Sequence, residues 1–116
     1  MTIKVKVEQG VLQGKRVTSC TGKEYYSFEG IPYAKPPLGK LRFRNPEDPE
    51  PWIGVRDATK PGNRACQPNF STAKIEGSED CLYLNVYTPS LPIDRKEKYP
   101  VLFFVHGGRL LVGYGD

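Results

Sequence analysis

The stretch that decides the fold is Pro100-Val101-Leu102-Phe103-Phe104-Val105, followed by His106-Gly107-Gly108-Arg109. Five apolar residues follow one another without the polar alternation of a half-buried strand, so both faces of a strand here should be covered. Pro100 stands at its first position, where a strand tolerates a proline. This pattern is typical of an interior strand in a sheet flanked by helices. Residues 101–105 therefore predict an inner strand of an α/β architecture.

Upstream of that segment the sequence predicts short strands joined by turns. Residues 3–8 and 11–19 predict a hairpin, because apolar and polar residues alternate and Gly10 supplies the turn. Residues 25–28 are rich in aromatic side chains and predict a further short strand. Residues 82–87 alternate between two faces and predict another, half-buried strand.

Residues 30–61 contain seven prolines. Each proline removes a backbone donor and fixes φ, so neither a helix nor a central strand is expected to run through this segment. Its many apolar side chains argue for order, since a disordered linker has little reason to carry so much apolar surface. The segment predicts a long loop packed on a core.

No stretch of the 116 residues has the pattern of an amphipathic helix of about ten residues or more. The layers that would bury a strand at residues 101–105 are therefore expected from sequence outside these residues. We interpret the chain as part of a domain.

Composition and charge exclude several functional classes. Lys and Arg number 17 against 13 Asp and Glu. The basic residues are scattered, and the densest cluster of charged residues contains both signs, which argues against a nucleic-acid-binding surface. The longest apolar run, residues 101–105, is too short to cross a bilayer, so no membrane segment is expected. The first residues alternate apolar and charged side chains unlike a signal peptide, which favours a cytoplasmic over a secreted location.

A series of short motifs resembles the N-terminal signature of type-B carboxylesterases, the family that includes the cholinesterases. In chain order these motifs are Phe28-Glu29-Gly30-Ile31-Pro32-Tyr33-Ala34, Pro36-Pro37-Leu38-Gly39, Leu41-Arg42-Phe43, Trp52-Ile53-Gly54-Val55, Asp57-Ala58-Thr59 and Glu79-Asp80-Cys81-Leu82-Tyr83-Leu84-Asn85-Val86-Tyr87-Thr88-Pro89. Together with the His-Gly-Gly turn they cover nearly the whole chain, and their style is similar to that of insect α-esterases. The resemblance implies that residues 1–116 are the N-terminal part of an α/β-hydrolase, a carboxylesterase type-B domain that is incomplete here.

The same resemblance gives the turn after residue 105 a role. In the family, amide N–H groups of this turn join one from the residue after the nucleophilic serine to stabilise the tetrahedral oxyanion. Gly108 and Arg109 match the two donor positions, and Gly107 precedes them. The family has glycine where this chain has Arg109, whose Cβ either excludes the acyl group or forces different dihedrals. A sequencing error and a natural variant with altered substrate choice are the remaining interpretations.

The Ser/acid/His triad is missing from these residues. His106 is the only histidine, and in such esterases the catalytic histidine lies near the C-terminus, so a structural role is expected for it. None of the five serines lies in a GxSxG motif; they are Ser19, Ser27, Ser71, Ser78 and Ser90. The adjacent carboxylates Glu79 and Asp80 have no partner at metal-ligand spacing, so neither a metal nor a cofactor is expected.

The resemblance also implies three structural features. Cys66 and Cys81 match the first conserved disulfide of the family, which would contribute about 3 kcal/mol and leave Cys20 as an odd thiol; in a cytosolic enzyme both would instead stay reduced. Arg42 and Glu79 match a structural ion pair, worth little at the surface and costly to break if buried. Separately, Asn69-Phe70-Ser71 is a glycosylation sequon, used only in the secretory pathway.

Three functions follow as hypotheses. The first is a carboxylesterase acting on a small-molecule carboxylic ester, to which this chain supplies the oxyanion-hole loop and which is inactive without its triad. The second is a non-catalytic, cholinesterase-like adhesion protein, for which Arg109 gives some support. The third, a self-sufficient β-domain that binds polyanions, conflicts with the uncovered strand at residues 101–105.

Overall fold

The structure, a computed structural model, describes residues 3–91 and 98–115. Its regular structure consists of seven strands and one turn of 3₁₀ helix at Gly39–Leu41. In chain order the strands are β1 (Ile3–Val7), β2 (Gly10–Thr18), β3 (Glu24–Pro32), β4 (Val55–Asp57), β5 (Gln67–Asn69), β6 (Lys74–Glu76) and β7 (Tyr83–Thr88). The predicted hairpin and the two further upstream strands are confirmed, with shifted ends.

Five of these strands form one sheet, with β1, β2, β3 and β7 as neighbours in that order. These four pair antiparallel. The first half of β2 also pairs with β4, which runs parallel to it from Val11↔Val55 to Gln13↔Asp57. Strands β5 and β6 form a separate two-stranded hairpin.

The core lies on one face of the sheet, where the alternation of the strands places apolar side chains. Ile3, Leu12 and Phe28 are 8%, 2% and 4% exposed, and they cluster with the fully buried Ala58. Trp52 packs against this cluster and closes the β1–β2 turn. Its Nε1 donates to the Val11 carbonyl at 2.9 Å, and its ring lies where a Cβ on Gly10 would stand.

Strands β3 and β7 change register between Phe28 and Ile31. At this bulge Gly30 has a φ of +66°, and its amide donates to Asn85 Oδ1 at 3.0 Å. A Cβ on Gly30 would lie 2.8 Å from the Lys60 carbonyl oxygen. A glycine is therefore required here both for conformation and for close approach of the chain.

The prediction of an unbroken loop over residues 30–61 is wrong at both ends. Strand β3 continues to Pro32, whose missing donor is tolerated at the end of a strand. Strand β4 forms because the chain is held against the sheet, with the Ala58 amide donating to the Gln13 carbonyl at 2.8 Å. Between these strands the chain is a loop with order, as expected, and Ala34 within it is 3% exposed.

The prediction of a strand at residues 101–105 is wrong for the structure as described. This segment has no strand geometry and pairs with no other described residue. Its five side chains are between 73% and 94% exposed. A strand needs a neighbour for its backbone hydrogen bonds, and within residues 3–91 and 98–115 none lies beside it. In the same described part of the chain, no helix has the length and apolar character that crossing a bilayer requires.

Candidate active site

The residues that follow the apolar segment, 106–113, fold into a closed turn that we call the glycine loop. The Gly108 carbonyl accepts the amides of Leu111 and Val112 at 3.0 and 3.1 Å. Gly108 has a φ of +121°, and a Cβ there would lie 1.6 Å from the Val112 carbonyl oxygen, so only glycine fits. Gly113 then returns to the start of the loop, where a Cβ would lie 2.5 Å from the Gly107 carbonyl oxygen.

Two side-chain amides attach this end of the chain to the rest of the fold. Gln67, the first residue of β5, accepts from the Gly113 amide at 2.8 Å and donates to the Gly113 carbonyl at 3.0 Å. Asn85 of β7 donates to the Gly115 carbonyl at 3.2 Å. Arg64 also lies over the Tyr114 ring, 3.2 Å from its centroid. The glycine loop is thereby held against the β5–β6 hairpin and the edge of the sheet.

The glycine loop and the residues at the start of β5 form the walls of an open concavity of about 360 Å³. It is lined by Ala65, Cys66, Gln67 and residues 106–113. The predicted site residues Gly107, Gly108 and Arg109 thus lie together in this concavity. In the described part of the chain, the amides of these three residues donate to no other protein group. Unpaired amides beside a concavity are able to receive an anion or a developing negative oxygen.

Arg109 and its neighbour Leu110 both adopt a left-handed backbone, with φ of +57° and +59°. They are the central residues of the Gly108–Leu111 turn, and a turn with two positive φ angles strongly favours glycine or asparagine. A side chain in this region costs about 1–2 kcal/mol. Arg109 is exposed. Arg109, where the family has glycine, therefore places a side chain on a left-handed backbone that favours glycine.

His106 stays at the entrance of the glycine loop. Its Nδ1 lies 2.8 Å from the Gly107 carbonyl oxygen, and Gly113 leaves the space that the ring occupies, since a Cβ there would lie 2.4 Å from Nδ1. These contacts are within the loop itself. None of them joins His106 to a serine or a carboxylate among the described residues.

Cys66 and Cys81 are recorded as free thiols, Cys66 exposed and Cys81 half-buried. Burial raises the pKa of the Cys81 thiol, and the neighbouring Cys66, Asp80 and Glu79 raise it further. The two sulfurs are thus close enough to influence each other electrostatically. Their pairing stays a prediction. Cys20 lies exposed in the β2–β3 turn.

The remaining predicted residues lie away from the glycine loop. Arg42 Nε is 2.6 Å from Glu79 Oε1, with the two side chains 56% and 45% exposed, so this ion pair is at the surface. The Asn69 side chain donates to Glu76 at 2.8 Å and accepts from the Ser71 amide at 2.9 Å. These contacts shape the β5–β6 turn.

The sequence was compared with known proteins. A profile of the carboxylesterase family matches residues 1–116. The chain belongs to the carboxylesterase family. Juvenile hormone esterase of Tribolium castaneum is 45% identical over 97% of this chain and 19% of its own length. A pyrethroid hydrolase of Mus musculus is 50% identical over 76% of this chain and 18% of its own length. The chain spans about a fifth of the length of the relatives it matches.

A solved carboxylesterase from Geobacillus stearothermophilus superposes with a TM-score of 0.77. It is 41% identical, and the match covers 95% of this chain and 20% of the solved chain. The α/β-hydrolase fold class is therefore confirmed, although the described residues contribute strands and loops to it. Similarity to insect esterases is confirmed as well.

The glycine loop is predictable from the sequence, but Gln67, whose side chain bonds to the loop at Gly113, is not. Gln67 was not predicted, because a single glutamine between Cys66 and Pro68 carries no periodic signal. Its contact with Gly113 joins positions 46 residues apart. The only hint in the sequence is its place directly after Cys66, a residue that the family resemblance had already marked.

Proposed function

We propose that residues 1–116 are the N-terminal segment of a longer serine carboxylic ester hydrolase, and that they supply its oxyanion-hole loop. We call that longer polypeptide the parent enzyme. The observation that carries the proposal is the glycine loop, whose amides at Gly107, Gly108 and Arg109 have no protein acceptor among the described residues and line a concavity. Membership of the carboxylesterase family supports the same chemistry.

In the proposed reaction a serine outside these residues attacks the ester carbonyl, while a histidine takes the serine proton and later returns it to the leaving alcohol. The carbonyl oxygen gains negative charge as the tetrahedral intermediate forms. The amides of Gly108 and Arg109 donate to that oxygen, which stabilises the intermediate more than the ground-state ester. Water then releases the acyl group by the same sequence of steps. The task of this segment is electrostatic, since its own chain contains no GxSxG serine.

The substrate class is a small-molecule carboxylic ester. The names of the relatives support a class this broad, because they include a juvenile hormone esterase, a pyrethroid hydrolase and a para-nitrobenzyl esterase. No nucleic acid is proposed as a partner.

Hydrolysis of p-nitrophenyl acetate tests whether residues 1–116 supply oxyanion donors to a triad that lies outside them. The 116-residue chain alone should show no saturable turnover, whereas the parent enzyme should. In the parent enzyme, Gly108→Ala should lower kcat by about 10²–10³-fold, the usual effect of losing one oxyanion donor. The added Cβ would collide with the Val112 carbonyl and displace the amide.

Gly22→Ala is the matched control for this substitution. Gly22 also has a positive φ, +80°, but a Cβ there meets nothing within 4 Å and it lies in the β2–β3 turn. Gly22→Ala introduces the same kind of backbone strain at a position outside the glycine loop. Its kcat should therefore stay near that of the parent enzyme. Equal losses in both variants would contradict the oxyanion role, as would saturable turnover by the 116-residue chain.

A second candidate is a non-catalytic adhesion protein built on the same fold. Arg109 favours it, because a strained cationic residue stands at a position where an esterase needs an unobstructed donor. The sequence following residue 116 distinguishes the two functions. A GxSxG serine followed by an acid and a histidine supports the enzyme, and a replaced serine supports the binding protein.

A further inference from the structure

We infer that Gln67 is a positioning residue of the parent enzyme, holding the glycine loop in the geometry that its oxyanion donors require. The inference rests on the oxyanion role proposed above. Gln67 lines the concavity, but both polar atoms of its side-chain amide bond to Gly113, so we assign it a positioning role and not a catalytic one.

The contact is a two-point match between a side-chain amide and a peptide group. Gln67 Oε1 accepts from the Gly113 amide at 2.8 Å, and Nε2 donates to the Gly113 carbonyl at 3.0 Å. Nε2 also donates to the Ala65 carbonyl at 3.2 Å. A primary amide offers a donor and an acceptor side by side without a charge. The two bonds fix both the position and the orientation of the backbone at Gly113.

Gly113 transmits this constraint to the donors because it packs on the start of the loop. A Cβ at Gly113 would lie 2.4 Å from His106 Nδ1 and 2.5 Å from the Gly107 carbonyl oxygen. The turn between them is closed by the two amides that donate to the Gly108 carbonyl. A displacement of Gly113 therefore displaces Gly107 and Gly108 with it, since the loop has no slack at these contacts.

The other side of the contact is anchored. Gln67 pairs with Glu76 in the β5–β6 hairpin, and the preceding residue pair Ala65↔Ser78 forms an isolated parallel bridge. The Ser78 amide donates to the Arg64 carbonyl at 2.9 Å. Backbone bonds thus hold both flanks of Gln67, so its side chain provides a fixed point for the loop.

The first experiment separates positioning from hairpin stability in the parent enzyme. Gln67→Met keeps the length of the side chain and removes both hydrogen bonds to Gly113. The matched control is Asn69→Leu, which removes amide contacts to Glu76, Ser71 and Thr72 in the same hairpin but none to the glycine loop. We expect kcat of Gln67→Met to fall about tenfold or more with KM nearly unchanged, because donor alignment matters in the transition state. Asn69→Leu should keep the parent kcat.

The second experiment gives a readout that a merely structural role would not move. In Gln67→Glu the ionised carboxylate can accept from the Gly113 amide but has no donor for the carbonyls of Gly113 and Ala65. The protonated carboxyl regains one donor. The ratio of kcat in Gln67→Glu to kcat in the parent enzyme should therefore rise as the pH falls. The charged and titratable groups around Gln67 are the same in both enzymes, namely His106, Cys66, Arg64 and Glu76. The ratio at each pH therefore removes the pH dependence that the two enzymes share.

The outcomes distinguish this inference from the proposed function. A parent enzyme without esterase activity overturns both. An active parent enzyme in which Gln67→Met keeps its kcat, or in which Asn69→Leu loses as much, overturns the positioning role and leaves the oxyanion role standing. If Gln67→Met does not fold, as judged by circular dichroism, the pH dependence of Gln67→Glu decides. A ratio that stays flat with pH counts against the inference.

Discussion

The sheet and the segment at residues 101–105 both carry large apolar side chains, but only the sheet buries any of them in a core. Leu12 and Phe28 are 2% and 4% exposed, whereas Leu102 and Phe103 are 94% and 81% exposed. Strand β1 alternates apolar and polar residues, and every strand of the sheet has a partner, either nearby in sequence, as β1 with β2, or distant, as β3 with β7. The segment at 101–105 has no such alternation and no strand beside it among the described residues. The sheet is therefore stabilised by pairing within the described residues, whereas an unbroken apolar run such as 101–105 is expected to form a strand only where both of its faces are covered.

Paired leucine substitutions test this contrast most strongly. Leu12→Ala should lower the free energy of unfolding by about 2–5 kcal/mol wherever it is made, since it leaves a cavity in the core. Leu102→Ala should change it by less than about 0.5 kcal/mol in the 116-residue chain, where the side chain is exposed. In the parent enzyme Leu102→Ala should cost about 2–5 kcal/mol as well. Urea denaturation followed by Trp52 fluorescence measures all four values. A negligible effect of Leu102→Ala in the parent enzyme would mean that residues 101–105 are not an inner strand.

A Cys66–Cys81 disulfide would join the wall of the concavity beside the glycine loop to the start of β7. Cys66 lines the concavity beside the glycine loop, and Cys81 lies two residues before β7. If the parent enzyme forms this bond, Cys66→Ser should lower its free energy of unfolding by about 3 kcal/mol relative to the oxidised enzyme. Under reducing conditions the difference should nearly vanish. Cys20→Ser is the control, and it should have little effect. Non-reducing peptide mapping checks the bond itself, and two free thiols at Cys66 and Cys81 would contradict the pairing.

The backbone of the glycine loop differs from that of the strands in carrying two adjacent side chains at positive φ. Arg109→Gly in the parent enzyme should relieve about 1 kcal/mol of this strain after the extra chain entropy of glycine is counted. If the same change in free energy lowers the barrier to the oxyanion intermediate, kcat/KM for p-nitrophenyl acetate should rise about fivefold. Leu110→Gly is the matched control, because its φ is the same within a few degrees and it is not a proposed donor. It should stabilise the loop without raising kcat/KM. Equal kinetic gains in both variants would argue that only loop strain, and not the Arg109 position, limits the reaction.

How far the sequence predicts the structure depends on the range of the interactions involved. The hairpin of β1 and β2 and the strands β3 and β7 were predictable, because each has its own alternation or aromatic content. Strand β4 was not, since three residues between prolines form a strand only through their contact with Gln13 and its neighbours on β2. Strand β5 contains Pro68 and was missed for the same reason. At the site, the turn residues were predictable from their glycines, whereas Gln67 acts through a contact between distant positions that no local pattern encodes.

The ion pair of Arg42 and Glu79 should give the smallest effect, and it tests whether the parent enzyme covers this face of the chain. The two side chains are 56% and 45% exposed and meet through one contact, Nε to Oε1 at 2.6 Å. An exposed pair of this kind is worth about 0.2–1 kcal/mol. A double-mutant cycle with Arg42→Met and Glu79→Gln in the parent enzyme should therefore give a coupling energy in that range, and 1 M salt should reduce it because the Debye length falls to about 3 Å. The Lys15–Glu29 pair, with side chains 39% and 12% exposed, is the less exposed comparison. A coupling energy above about 3 kcal/mol that resists salt would show instead that the parent enzyme buries the Arg42 pair, because breaking a buried ion pair leaves an uncompensated charge. The layers that we expect to cover residues 101–105 in the parent enzyme would then extend over this loop as well.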